Sequence, residues 1–214
     1  MGRPRRDDHT GALHHVMNRG TARTMLFRTD CDRRVFLFHI GELEARFGVQ
    51  VIAFVLMGNH YHLVVRSLDA RLPEAMHHLD SKYAHYFNRT YERDGAFFRG
   101  RYASEPITSD AQFERVGIYV HLNPIKAGLV GSSLDYRWSS LRAYAAGRAP
   151  VGWLHLDLLR GRSGTHYLSA VTACSDEVTA LETPIDDSGA AWWTGKIPDP
   201  PATTMTRLDH AVAA

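Results

Sequence analysis

Cysteine is nearly absent: Cys31 and Cys174 are the only two in 214 residues, and they stand far apart. A disulfide framework or a cysteine-based zinc site is therefore not expected, and a reducing, cytoplasmic compartment fits. No apolar run approaches the ~20 residues a membrane span needs. The opening residues, Met1-Gly2-Arg3-Pro4-Arg5-Arg6-Asp7-Asp8, have no apolar segment behind them, so no secretory signal is expected. There is no internal repeat. Net charge is also small, +2 overall, but it is unevenly spread. Residues 151–214 hold four basic and eight acidic groups, a net of −4, which leaves a net of +6 on residues 1–150. A basic body with an acidic tail is compatible with a nucleic-acid partner.

What remains is the composition of a globular protein, 44% hydrophobic and 22% charged, long enough to bury a core. Residues 1–11 are expected to form a loose basic arm. Leu13 to Asn18 reads as a strand. Thr29 or Asp30 can cap a helix with Phe36, Ile40, Leu43 and Phe47 at helical spacing, stopped by Gly48. Val49–Met57 and His60–Arg66 read as antiparallel strands joined through Gly58-Asn59. A second helix is expected from Leu72 to about Arg93, and one or two short strands within Phe97–Thr108. Ser109 or Asp110 caps a third helix running to about Gly128, with a kink expected at Pro124. The order βαββαβα predicts an α+β fold of the split βαβ, ferredoxin-like kind, an antiparallel sheet with helices packed on it. One domain is expected over residues 12–150, a short extension with small helices over 151–182, and a disordered tail over 183–214.

Chemistry concentrates in two places. In Phe54-Val55-Leu56-Met57-Gly58-Asn59-His60-Tyr61-His62-Leu63-Val64-Val65-Arg66, two histidines two apart share one face of a strand while Tyr61 points to the other. Two neutral imidazoles on a rigid strand are half of a divalent-metal site. In Glu114–Lys126, residues Arg115, Tyr119, Asn123 and Lys126 fall on one helical stripe. A phenol, a carboxamide and two cations would project together. These parts suit phosphodiester cleavage by a tyrosine. Tyr119 would be the nucleophile, although a phenol of solution pKa ~10 is weak without help. A divalent ion held by His60, His62 and Asn123 would act as Lewis acid, with Mg²⁺ or Mn²⁺ favoured by the mixed N/O ligand set.

These residues also carry a resemblance. The blocks His14-His15-Val16-Met17-Asn18-Arg19-Gly20, Met57-Gly58-Asn59-His60-Tyr61-His62-Leu63-Val64, Phe98-Arg99-Gly100-Arg101-Tyr102, Tyr119-Val120-His121-Leu122-Asn123-Pro124-Ile125-Lys126-Ala127-Gly128-Leu129-Val130 and Tyr136-Arg137-Trp138-Ser139-Ser140 resemble the single-tyrosine HUH transposases, in particular the REP-associated tyrosine transposases. Five blocks in this order and spacing, across residues 13–145, are specific where His-x-His alone is not. The resemblance implies an HUH endonuclease fold and metal-dependent nicking and joining of single-stranded DNA. It implies a 5′-phosphotyrosine intermediate and recognition of a hairpin beside the cleavage site. It makes His60 and His62 the paired metal ligands, Tyr119 the nucleophile and Asn123 the third ligand; some relatives carry glutamine at that last position. A bacterial, nucleoid-associated setting would follow, while monomer and dimer remain open.

Arg99 and Arg101, flanking Gly100 between aromatic residues, are candidates for the DNA path with Arg115, Lys126 and the arm residues Arg3, Arg5 and Arg6. Against these stand plainer roles. Tyr83, Tyr86, Phe87 and Tyr91 suit a helix core, His14 and His15 a structural strand, and His77-His78 an exposed helix face. Other functions are a hairpin DNA- or RNA-binding module without catalysis, and a rolling-circle initiator or relaxase. A histidine-triad hydrolase needs a third alternating histidine, and position 64 is valine.

Overall fold

The computed structural model describes residues 8–159 and 166–180. The arm arginines Arg3, Arg5 and Arg6 and the tail over 183–214 lie outside the described residues. Four strands form one antiparallel sheet: β1 Ala12–Arg19, β2 Val49–Leu56, β3 His60–Ser67 and β4 Ala103–Ile107, in the order β2-β3-β1-β4. The helices are α1 Asp30–Gly41, α2 Leu43–Phe47, α3 Leu72–Thr90, α4 Asp110–Lys126, α5 Leu141–Ala146 and α6 His166–Ala180. The expected α+β, ferredoxin-like topology is the one observed.

Local chemistry sets the boundaries. Thr29 and Asp32 form a reciprocal capping box at the start of α1. Gly48, in the left-handed conformation at φ 63°, ends α2 where a side chain would collide with Asp69. Ser109 caps α4 by accepting the Gln112 N–H. The helix runs on through Pro124 to Lys126 rather than stopping at the proline. It closes in a left-handed Gly128, with the N–H groups of Gly128 and Leu129 donating to the carbonyls of Ile125 and Pro124.

β3 lies between β1 and β2, so both of its edges are paired, and helices pack on both of its faces. On one side Tyr61, Phe36, Tyr83 and Phe27 pack ring against ring, which places α1 and α3 there. Tyr83, Tyr86, Phe87 and Tyr91 serve this helical layer, as the sequence suggests. The Tyr61 hydroxyl donates to Asp80 at 2.8 Å, and Asn18 donates to the same carboxylate. Asp32 is fully buried and accepts N–H groups of Arg28 and Thr29 and the hydroxyls of Tyr86 and Tyr91. On the other side lies α4. The open edge of β2 is covered by residues 138–140 and 154–155, whose backbones bond Leu56, Phe54 and Val51.

The segment beyond residue 150 does more than extend the chain. Helix α6 packs along α4, and the buried His121 bridges the Tyr167 hydroxyl and the Ser140 hydroxyl. Gly117 allows this approach. A Cβ there would stand 2.8 Å from Leu159 Cδ2 and 3.1 Å from the Tyr167 hydroxyl. Among the described residues of this segment, residues 157–159 are helical and α6 runs for 15 residues.

Candidate active site

The site lies between β3 and α4. His60 and His62 project from β3 toward α4, with ring centroids 5.1 Å apart and planes perpendicular. Tyr119 meets His62 edge-on at 5.6 Å and is 7% exposed. The Lys126 ammonium sits 4.8 Å from the centroid of the Tyr119 ring. Asn123, one turn after Tyr119, donates its amide to the Tyr119 carbonyl at 2.9 Å. That bond fixes the carboxamide nitrogen on the helix backbone and leaves the oxygen as the free end of the group.

A further histidine joins this face. β1 and β3 pair with Met17 opposite His62 and His15 opposite Val64, so His15 shares the face of His62. Its ring stacks on His62 at 5.1 Å and 14°, and meets Tyr119 at 5.7 Å. His15 Nε2 lies 2.9 Å from His62 Nδ1. The strand role expected for His15 is therefore corrected: it packs against two of the principal side chains of the site. His14, on the opposite face, faces Ser104 and Asp8 and keeps its structural role. Adjacent histidines in a strand must diverge. Which one reaches the site depends on the β1–β3 register, which no local pattern states.

Hydrogen bonding decides which ring nitrogens are presented. His60 Nδ1 is 2.7 Å from Asn59 Oδ1, an acceptor, so Nδ1 carries the proton and Nε2 the lone pair. Nδ1 of His62 is likewise engaged, by His15. Burial holds the His62 pKa well below the ordinary histidine value, with the nearby His60, His15 and Lys126 adding to the effect. Burial also lowers His15 to about 4. Both imidazoles are neutral at pH 7. The imidazoles of His60 and His62 and the carboxamide oxygen of Asn123 make a donor set that fits a divalent ion. Burial lowers Lys126 to about 8, so its charge is partly desolvated where it faces the phenol ring.

The cations fall around this centre unevenly. Arg19 pairs across from His60 at the end of β1. The Arg99 N–H donates to the Arg19 carbonyl at 2.9 Å, so the Arg99–Arg101 loop sits at the histidine end of the sheet. Arg99 and Arg101 are exposed, and Arg115 lies one turn before Tyr119 on α4. Arg19 was not singled out by sequence; its pairing with His60 is again a matter of register. The acidic and histidine side chains His39, Glu42 and His78 also converge closely enough to hold a divalent ion, but on the other side of the sheet.

A split-βαβ sheet thus carries paired histidines on a central strand, with a tyrosine helix laid across them. The sequence model of the family described as "Transposase IS200 like" matches residues 9–123, more than half of the chain. The chain belongs to the IS200-like transposase family: it is a DNA transposase, of the class that cuts and joins single strands. Among solved structures, it is similar to the REP-associated tyrosine transposase bound to a REP hairpin. That likeness has a TM-score of 0.59 and 18% identity, over 72% of this chain and 92% of the other. No curated protein matches the chain. Among the described residues, no helix is long and apolar enough to cross a membrane.

Proposed function

We propose that this transposase nicks and rejoins single-stranded DNA beside a hairpin, with Tyr119 as nucleophile and a 5′-phosphotyrosine intermediate. The observation that carries it is the approach of Tyr119 to His62 at 5.6 Å beneath the Lys126 ammonium. His60 Nε2, His62 Nε2 and Asn123 Oδ1 would hold Mg²⁺ or Mn²⁺, which when bound supplies Lewis-acid stabilisation of charge on the scissile phosphate.

The chain's own residues do the rest. The Tyr119 hydroxyl oxygen attacks phosphorus and loses its proton to water. The P–O3′ bond breaks, and the departing 3′ oxygen takes up a proton. One new P–O bond replaces the old one, so the energy of the linkage is kept and the reverse step rejoins strands without ATP. Lys126 faces the ring that becomes phenolate and stabilises it electrostatically. In this reading the His62 Nδ1–H donates to His15 Nε2, the tautomer that presents His62 Nε2. Arg99, Arg101 and Arg115, with Arg19, would contact the phosphates of the strand. Arg3, Arg5 and Arg6 would add an arm for the hairpin stem. The hairpin carried by the structural neighbour supports that choice of partner.

The test is a gel assay for covalent adduct. Wild type and Tyr119→Phe are incubated with labelled single-stranded hairpin oligonucleotides from DNA flanking the gene, with Mn²⁺, Mg²⁺ or EDTA. A slow protein–DNA band that needs metal and vanishes in the variant is expected. An adduct that survives Tyr119→Phe would assign the chemistry to another tyrosine. Hairpin binding without adduct under any metal would leave a binding module.

A further inference from the structure

We propose that His39, Glu42 and His78 form a second divalent-metal site, one selective for Zn²⁺-like ions, on the face of the sheet opposite Tyr119. Their ligand atoms all lie within 4.8 Å of one another. His39 Nδ1 is 2.8 Å and His78 Nε2 is 3.2 Å from the same oxygen, Glu42 Oε2. The two rings are nearly perpendicular, 85°, with centroids 6.3 Å apart, so they converge on a point rather than stack.

The three groups come from separate places: the last turn of α1, the α1–α2 junction and the middle of α3. Two of the three are held by neighbours. Arg46 binds the other oxygen of Glu42 through Nε at 3.1 Å and Nη2 at 3.0 Å, which aims Oε2 at the histidines. Phe47 packs on the His78 ring at 5.3 Å. Such outer partners fix ligand orientation in metal sites.

Zn–N bonds of about 2.0–2.1 Å and Zn–O bonds of about 2.0–2.2 Å in a tetrahedron set ligand atoms roughly 3.4 Å apart. The contacts to Glu42 Oε2, 2.8 and 3.2 Å, need to open toward that spacing, and the two ring nitrogens, within 4.8 Å of each other, need to settle at it; side-chain torsions supply both movements. Each imidazole would turn a lone pair rather than an N–H toward the ion and carry its proton on the other ring nitrogen. Two imidazoles and one carboxylate are the ligand set of three-coordinate protein sites for zinc, with a fourth position left for water. Magnesium, which demands oxygen ligands, is disfavoured. A groove of about 540 Å³, lined by Glu74, His77, His78, Ser81, Lys82 and His85 among others, opens beside His78. The exposed helix face expected for His77-His78 is thus corrected for His78, which is half-buried against Glu42.

The site is independent of the strand-transfer centre, and the experiment separates them. The full chain carrying His60→Ala and His62→Ala is titrated with Co²⁺, then with Zn²⁺ as competitor. One equivalent of Co²⁺ with tetrahedral visible bands, displaced by Zn²⁺, is expected, along with a higher melting temperature in Zn²⁺. Adding His39→Ala and His78→Ala should abolish both. In the otherwise unaltered chain, Glu42→Gln should weaken the tighter Zn²⁺ equivalent or remove it, while metal-dependent adduct formation in Mn²⁺ continues. Absence of bound Co²⁺ in the first variant would overturn the proposal. So would binding that survives loss of His39 and His78 but disappears with His77→Ala and His85→Ala.

Discussion

His15→Phe tests the tautomer argument most directly. Position 15 is fully buried, and phenylalanine keeps a ring of similar size stacked on His62. What it removes is the 2.9 Å contact between His15 Nε2 and His62 Nδ1. A buried donor left without a partner costs about 1–3 kcal/mol. If that cost falls on the metal-competent tautomer of His62, it corresponds to roughly 5- to 150-fold weaker metal binding, which brackets the ~10–100-fold usual for outer partners of a ligating histidine. The assay is adduct yield against Mn²⁺ concentration. The half-saturating Mn²⁺ should rise by about that factor, while yield at saturating metal approaches wild type. His15→Gln, which restores a hydrogen-bonding group, should recover part of the loss. An unchanged half-saturation point, with the variant folded by circular dichroism, would refute the role given to His15.

Other outcomes follow from packing and charge. Asp32→Asn replaces an oxygen that accepts two backbone N–H groups at 2.8 Å each; it should lower stability by about 3 kcal/mol, read as a fall in urea midpoint. Burial alone would raise the Asp32 carboxyl, but hydrogen bonds from Thr29, Tyr91, Tyr86 and Arg28 leave it lowered. Its stabilisation is therefore present above the ordinary carboxylate range and lost as pH falls through the folded-state value. Burial holds His15 at about 4, His121 at about 3 and His62 well below normal. Folded-state values depressed in this way stabilise the protein above ~6.5, and the contribution drains as pH falls toward 4 and below. A denaturation midpoint flat from pH 7 to about 4 would contradict this linkage. Gly117→Ala gains about 1 kcal/mol of helix propensity, yet its Cβ meets Leu159 and Tyr167. Overpacking of about 1–3 kcal/mol should outweigh the gain, and a urea midpoint above wild type would refute the clash.

Much of the architecture was legible because local signals and the fold agree. Thr29, Gly48, Ser109 and Gly128 mark helix ends by chemistry that works within a few residues. The alternation of His60, Tyr61 and His62 assigns faces without any knowledge of partners. Tyr119 and Lys126 were legible as a helical pair because i and i+7 lie on one side. What escaped required distant elements. His15 reaches the site through a strand register across 47 residues. The cluster around Glu42 joins residues 36 apart through the packing of α1 on α3. Pro124 lies two residues before the last residue of α4, and the Val120 carbonyl that its missing N–H would have served is approached instead by the Asn123 amide at 3.5 Å, so the helix runs on through it.

The bond from His121 to Tyr167 has a practical consequence for dissecting the molecule. The recognisable family segment stops at residue 123, but the outward side of the tyrosine helix is finished by residues far beyond it, Ser140, Leu159 and Tyr167 among them. A fragment cut at the motif boundary would leave Tyr119 on a helix with one wet flank and a desolvated histidine suddenly exposed. Minimal nicking modules or fusion tags built from this chain should keep everything through residue 180 as a single piece.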